Sequence, residues 1–335
     1  GDYDNGDFGF GNGGDGYYIG GDGDDVPFNN FDGRGFTENY GGGANYNFDN
    51  KKTKFSSSYF YNQTELTLDQ SAFRQTFLQD STFSNTDTSS RVDFRSNHSI
   101  AARFEQELDS NNILIVKANT RFSHNDARYN QSQYFTGSND LPSNNLDIDN
   151  DNLLDSWRLS GSGIFRHRFK KKGRSFALSA GYNSNKSDGS ENLFSINRFF
   201  RAGTVTEQIR QLNTNDNIGR QIKSSMLFTE PLSKKWYWET FYNFSRADNQ
   251  VNRQVVDPEL NNERIDNLSV FYDNTVLYNR LGSSIRYSYD GLNATVGAAA
   301  QHLQLDGAYS TDRDMPLLTD PIRRSFLNYT PNVDI

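Results

Sequence analysis

Cysteine is missing from all 335 residues, which removes disulfide frameworks, thiolate metal sites and cysteine nucleophiles together. Long apolar runs are missing too. With 34% hydrophobic residues and a mean hydropathy of −0.82, no stretch is able to cross a bilayer as a helix, and a helical membrane protein is excluded. His98, His124, His167 and His302 lie far apart, without HExxH or any paired spacing, and each reads as an ordinary strand residue. No basic block exceeds Lys170-Lys171-Lys172 and the formal net charge is −8, so no nucleic-acid partner is expected. No enzymatic activity, cofactor, catalytic residue or metal ligand is assigned from these residue types.

Such low hydropathy normally accompanies high solubility or partial disorder. A transmembrane barrel is the exception, because only every second strand residue meets lipid and the rest of the chain is polar. The aromatic content of 14%, mostly Phe and Tyr, is too high for ordinary disorder and suits the interfacial girdles of such a barrel.

What the sequence does have is alternation. From Ser90 to Ser123, Val92, Phe94, Ile100, Ala102, Phe104 and Leu108 share one parity, against Arg91, Asp93, Arg95, Asn97, Arg103, Glu105 and Glu107 on the other. After Asp109-Ser110-Asn111-Asn112 the pattern resumes, with Leu114, Val116, Ala118 and Phe122 opposing Lys117, Asn119, Arg121 and Ser123. Period two marks a strand with one apolar and one polar face, and the pair reads as a hairpin. The arms run for roughly 10 to 17 residues, against about 5 to 6 in a globular strand.

Further short turns are read near Asn50, Lys171, Ser233 and Gly291, about every 60 residues, giving one hairpin and one long loop per unit. Flanking arms alternate likewise: Tyr59 and Tyr61; Trp157, Leu159 and Phe165 against Arg158, Arg166 and Arg168; Trp236 and Trp238 against Glu239. Around ten strands in five hairpin units are expected over residues 43–335, after a Gly/Asp-rich extracellular loop or leader at 1–42. Polar stretches 64–89, 126–155 and 187–217 are expected to be long loops, as on one side of an outer-membrane barrel, with the short turns on the periplasmic side. The fold expected is therefore an all-β, antiparallel transmembrane β-barrel. No signal peptide opens the chain, and "FLNYTPNVDI" reads as the start of another strand, so a piece of a longer protein is expected.

"YGGGANYNFDNKKTKFSSSYFYNQTE" (40–65), the stretch 74–123, "IRYSYDGLNATVGAAAQHLQLDG" (285–307) and "FLNYTPN" resemble the outer-membrane β-barrel family of Bacteroidota that is similar to TonB-dependent receptors. The resemblance covers almost everything after residue 40. It implies a larger protein with an N-terminal carboxypeptidase-regulatory-like domain, a plug and a barrel of about 22 strands, of which this chain, showing neither plug nor TonB box, is the first half. It also implies a cell outer membrane location, contact with the lipid bilayer and lipopolysaccharide, and partners such as a TonB-type energy coupler and a surface lipoprotein. The function expected is import of a nutrient or chelate. The alternative is a transport-idle barrel serving as scaffold among envelope-complex subunits.

Two acidic stretches echo calcium loops. Asp2, Asp4 and Asn5-Gly6 offer spaced oxygen ligands, and Asp147, Asp149, Asp151 and Asp155 fall at the first, third, fifth and ninth places of an EF-type loop. The second lacks the sixth-position glycine and has Arg158 in place of the bidentate glutamate, so a solvated loop tip is the preferred reading. On the polar parity, Arg95, Arg103, Glu105, Lys117, Arg121, Arg166, Arg168, Lys223, Glu239 and Arg286 are expected to point into a barrel lumen, holding a plug, guiding a solute or keeping the lumen hydrated.

Overall fold

The computed structural model describes residues 35–78, 82–137, 141–200, 203–310 and 321–334. Twelve strands account for nearly all of them: β1 (Phe36–Asp49), β2 (Thr53–Phe77), β3 (Thr82–Glu107), β4 (Asn112–Thr136), β5 (Pro142–Arg168), β6 (Ser175–Phe199), β7 (Val205–Pro231), β8 (Trp236–Asp257), β9 (Glu263–Arg264), β10 (Val270–Tyr289), β11 (Leu292–Ser310) and β12 (Ile322–Asp334). They form one antiparallel sheet in chain order, with the two-residue β9 off the path and paired to β8. The fold is all-β and barrel-like. The sheet is not closed among the described residues, since β1 and β12 are its two edges.

Each expected turn is found, and its residues explain it. Asn50 Oδ1 accepts from the amides of Lys52 (2.9 Å) and Thr53 (2.7 Å), and Asp109 Oδ1 from those of Asn111 (2.7 Å) and Asn112 (2.9 Å). Asn and Asp close turns in this way by mimicking a backbone carbonyl. The Asn112 side chain, first, and the Asn111 amide hold the Asp109 carboxyl below its usual range. At the β10–β11 turn Asp290 (φ 50°) and Gly291 (φ 81°) are both left-handed, as a two-residue hairpin turn matching strand twist requires. Prolines keep to the margins: Pro142 and Pro231 are terminal strand residues and Pro331 lies on the edge strand β12, where a missing amide donor costs least.

The expected long loops are the main correction. Residues 64–77 and 82–89 are strand, as are 126–136 with 142–155, and 187–199 with 205–217. Polarity on both faces erases the period-two signal there, yet the ladder continues because the side chains bond across it. Gln131 Nε2 donates to Asp87 (2.9 Å to Oδ2), and Asn150 and Asn213 both donate to Glu191 (2.9 and 2.8 Å), tying β5 and β7 through β6. Strands of 25 to 27 residues result. Beyond the ten strands of the five hairpins stand β12, which the terminal FLNYTPNVDI announced, and the two-residue β9, which the sequence reading did not include; the boundary drawn at residue 42 falls inside β1.

Directly opposed residues share a face, so the pairing assigns every side chain. One face carries Tyr46, Phe55, Tyr59, Ile100, Phe104, Val116, Phe122, Trp157, Leu159, Leu178, Ile222, Trp236, Leu281 and Val296; the opposite face carries the Arg, Asn and Ser residues of the other parity. The apolar face is uncovered: Leu281 and Val296 are each 59% exposed.

The hydrogen-bond rows do not run level with the turns. The row Phe55–Phe104–Val116–Gly163–Ala180–Ser224–Phe244–Asn279–His302 starts two residues into β2 and ends ten residues into β11. That climb corresponds to about 26 Å across about 38 Å of sheet, a slant of about 35°. The apolar residues follow the turns, not the row. They form a belt beside the turn end, spanning Trp157 to Phe165 on β5 and Trp236 to Phe244 on β8, or about 25 Å once the slant is allowed for. Beyond it the same face turns polar, as with Arg220 and Asp248.

Below the belt, past Phe228, Glu230 receives Lys171 Nζ (2.6 Å) and Arg174 Nη2 (2.9 Å) from the β5–β6 turn. Hydrogen bonds from Arg174 and then Lys171 pull its carboxyl from 4.5 down to about 2. A lowered carboxylate pKa contributes stability that is present above the unfolded value and lost as pH falls toward the folded one. Glu230→Gln is therefore expected to lower the midpoint of thermal unfolding at neutral pH and to flatten its decline between about pH 4.5 and pH 2. Parallel declines in the two proteins would refute the clamp.

Candidate functional site: the polar face

All of Arg95, Arg103, Glu105, Lys117, Arg121, Arg166, Arg168, Lys223, Glu239 and Arg286 lie on the face opposite the apolar belt. They are not one cluster. Arg103 and Glu105 pair along β3 at 3.0 Å. Arg286 of β10 meets Glu239 of β8 at 2.8 Å, its guanidinium 4.7 Å from the Tyr237 ring centroid. Arg103 and Lys117 are direct cross-strand neighbours, and Arg121 stands opposite Arg158.

The face also holds residues that the lumen list leaves out. Asp93, 5% exposed at its side chain, sits between Arg91 (2.7 Å) and Arg95 (3.9 Å). Arg95 reaches on to Asn125 Oδ1 (3.0 Å), Ser123 donates to Asn97 Oδ1 (2.6 Å), and Ser160 bonds Asn119. These polar contacts cross from strand to strand and leave the guanidinium groups of Arg91 and Arg95 about half exposed. Asp87 and Glu191 were missed because they lie in stretches read as loops. Arg91 and Asp93 were legible, since they continue the parity of Arg95 and Arg103. The arrangement offers spaced charges and a dense set of amide and hydroxyl groups, suited to binding and guiding polar groups. No nucleophile–base pair is found among the residues named on this face.

The acidic run is corrected. Asp147, Asp149 and Asp151 are alternate residues of β5 and Asp155 follows four further on, all on the belt face, so the carboxylates stand about 6.6 Å and then about 13 Å apart along a strand and do not converge on one ion. It is neither an EF-type loop nor a loop tip. Asp147 is engaged by Ser132 (2.8 Å) and Arg198 (2.7 Å), and those two hydrogen bonds, Ser132 first, hold its carboxyl low, well above the belt. Asp155 instead joins a cross-strand row with Asp188 and Asp216, where His124 bonds Asp155 (2.7 Å) and Lys186 bonds Asp188 (2.8 Å). Among the described residues no group of three or more His, Asp or Glu is placed to hold a metal ion. Asp2, Asp4 and Asn5-Gly6 lie outside the described residues.

The histidines are strand residues with cross-strand partners: Tyr59 for His98 (2.9 Å), Asp155 for His124, Asn112 for His167 (2.7 Å) and Ser325 for His302 (2.9 Å). Comparison with protein-family models and with curated proteins found no match to this chain.

Proposed function

We propose that this chain is the membrane-spanning barrel portion of a transporter similar to TonB-dependent receptors, in the outer membrane, importing a nutrient or chelate past its polar face. One observation carries the reading: an exposed apolar belt, level with the turns and oblique to the hydrogen-bond rows, on a sheet whose other face is charged. A soluble sheet buries such a face. In a bilayer it meets acyl chains, and about 25 Å is the height of the apolar band on outer-membrane barrels. A slant of about 35° is at the lower end of the 35–45° at which barrel strands tilt.

Aromatic side chains mark the lower rim of the belt. Trp236 packs on Tyr287 at 5.0 Å and Phe169 on Phe228 at 6.2 Å, where interfacial aromatics sit. The turns beside the belt are then periplasmic, and the polar upper parts of the strands stand outside the cell. Hydrocarbon tolerates no unpaired backbone amides, so the reading requires that the edges β1 and β12 be paired, with each other or with further strands.

The first test is physical. After carbonate washing and flotation with liposomes, the chain is expected in the lipid fraction; recovery in the wash rejects the membrane reading. The transport reading is tested in cells by deleting the energy-coupling segment that the resemblance implies for the whole protein, with uptake expected to stop. Unchanged uptake, with stoichiometric envelope partners copurifying, would favour the scaffold.

A further inference from the structure

Acids and bases are sorted between the two faces of this sheet. On the polar face, five consecutive hydrogen-bond rows run from that of Arg103, Lys117 and Lys223 up to that of Arg95 and Asn125. Among the described residues, none of these five rows contains an acid on any strand. Acids return in the flanking rows, with Asp49 and Glu105 below and Asp93 and Glu191 above. At the same height the opposite face carries Asp155, Asp188 and Asp216 in one row and Asp248 in a lower one. A wall lined with one sign of charge concentrates solutes of the other sign, and Arg and Lys line pores that pass anions.

The middle row of the five pairs Arg121 of β4 directly with Arg158 of β5. That sets their Cβ atoms about 5 Å apart, and like charges so placed destabilise a sheet. Both arginines are exposed, amid Ser99, Asn119, Ser123, Ser156, Ser160 and Asn185, and Arg121 donates to Ser99 Oγ at 3.4 Å. About 13 Å further down β4, Lys117 and Arg103 form a second cross-strand pair of cations. Arg103 is shared with Glu105 (3.0 Å) and Arg95 with Asp93 (3.9 Å), each acid reaching in from a flanking row. The neighbours of Arg121 and Arg158 on this face are instead hydroxyls and amides. Two guanidinium forks in such surroundings fit a carboxylate or phosphate group, whose binding would offset the repulsion that the register builds in.

We propose that the solute which this face admits is an anion bearing carboxylate or phosphate groups, and that Arg121 and Arg158 bind it within the acid-free rows. This deepens the import reading and rests on it, since the face must meet water. The occupant is a water-borne solute and not a lipid phosphate, because the proposed lipid contact is on the other face.

Equilibrium dialysis of labelled inorganic pyrophosphate against the full chain in non-ionic detergent tests this. Saturable retention is expected at low salt. Arg121→Gln/Arg158→Gln should weaken it about tenfold, the loss of roughly one charge-assisted hydrogen bond. Arg220→Gln/Arg246→Gln, which removes the same charge from exposed positions on the opposite face, should leave it unchanged. No retention by the parent overturns the proposal, and so does equal weakening in the two double variants, which would report net charge alone. The parent also carries a test without substitution: at about 1 M salt, where charges are screened beyond about 3 Å, retention should vanish, and retention that survives is not electrostatic and overturns it too. Relief of the arginine repulsion means that the thermal midpoint of Arg121→Gln/Arg158→Gln should not fall. Phosphatidylglycerol mixed into the micelles should not compete; if it displaces pyrophosphate, the arginines serve lipid phosphates and the solute reading fails. Liposome flotation of the same protein is scored separately, so a face that binds no anion and a chain that enters no membrane give different results.

Discussion

Leu178→Arg is expected to cost about 1–2 kcal/mol of folding stability in a lipid bilayer, the penalty for an arginine between the rim and the middle of a lipid-facing band. Asn183→Arg is expected to cost less than about 1 kcal/mol, as a substitution on a solvated surface. Both positions are on β6 within the height of the belt, between its start at Ser175 and Ser184. Only parity separates them. Leu178 is opposed by Phe165 and Met226 and is 42% exposed; Asn183 is opposed by Ser160 and Gln221. The contrast is measured by urea titration in liposomes, following tryptophan emission. A second arm separates lipid from packing: in a detergent with a small apolar micelle the Leu178→Arg penalty should shrink, since the headgroup boundary lies closer. Equal penalties at the two positions would mean that the belt does not face acyl chains.

Gly297→Val is expected to destabilise by about 1–3 kcal/mol or more, the cost of overpacking without room to relax. A Cβ at Gly297 would meet Ser284 Cβ at 2.6 Å, the Ser283 carbonyl at 2.8 Å and Asn332 Oδ1 at 2.8 Å. Two of those atoms cannot swing away. Beside it, a Cβ at Gly282 would meet the Phe241 ring at 2.3 Å and Ala299 Cβ at 2.9 Å. Both glycines are on the polar face, in adjoining rows of β10 and β11, so the sheet folds tightly toward that face there. Glycine supplies such curvature by leaving the concave side empty. The control is Gly163→Ala, where nothing lies within 4 Å and no loss is expected. Unfolding midpoints of the three proteins in one detergent settle it. If Gly297→Val is as stable as Gly163→Ala, the close approach is relieved cheaply and the curvature has another origin.

Much of the lower part of the sheet was legible. Val92, Phe94, Ile100 and Phe104 alternate against charged residues, a contrast that the proposed function explains by one side meeting a nonpolar medium. The turns were legible for a different reason: Asn50, Asp109, Ser233 and Asp290-Gly291 supply the acceptors or the left-handed backbone a reversal needs. The upper halves were not. Gln131, Ser132 and Asn150 face water on both sides, so nothing in their hydrophobicity distinguishes a paired strand from a loop. The amides of Gln131 and Asn150 reach Asp87 and Glu191 across the ladder, a correlation between residues about 40 apart that no local window contains. The polar-face residues inside the belt were placed correctly for the same parity reason. What sequence order alone did not give was register, and register is what sets Arg121 against Arg158 and draws Asp155 into line with Asp188 and Asp216.

The long paired strands change what the outer surface offers to an attacker. Proteases need an unfolded stretch of several residues to thread through their clefts, and a peptide bond locked in a ladder on both sides is a poor substrate. On the proposed orientation the portion of β3 through β7 above the belt is such a ladder, with register unbroken along β3–β4, β5–β6 and β6–β7. Trypsin applied to intact cells would meet Arg91, Arg128, Lys186, Arg198 and Arg210 there, each inside a strand, and few that it can cut. Shaving would leave a stiff collar that antibodies can recognise by shape.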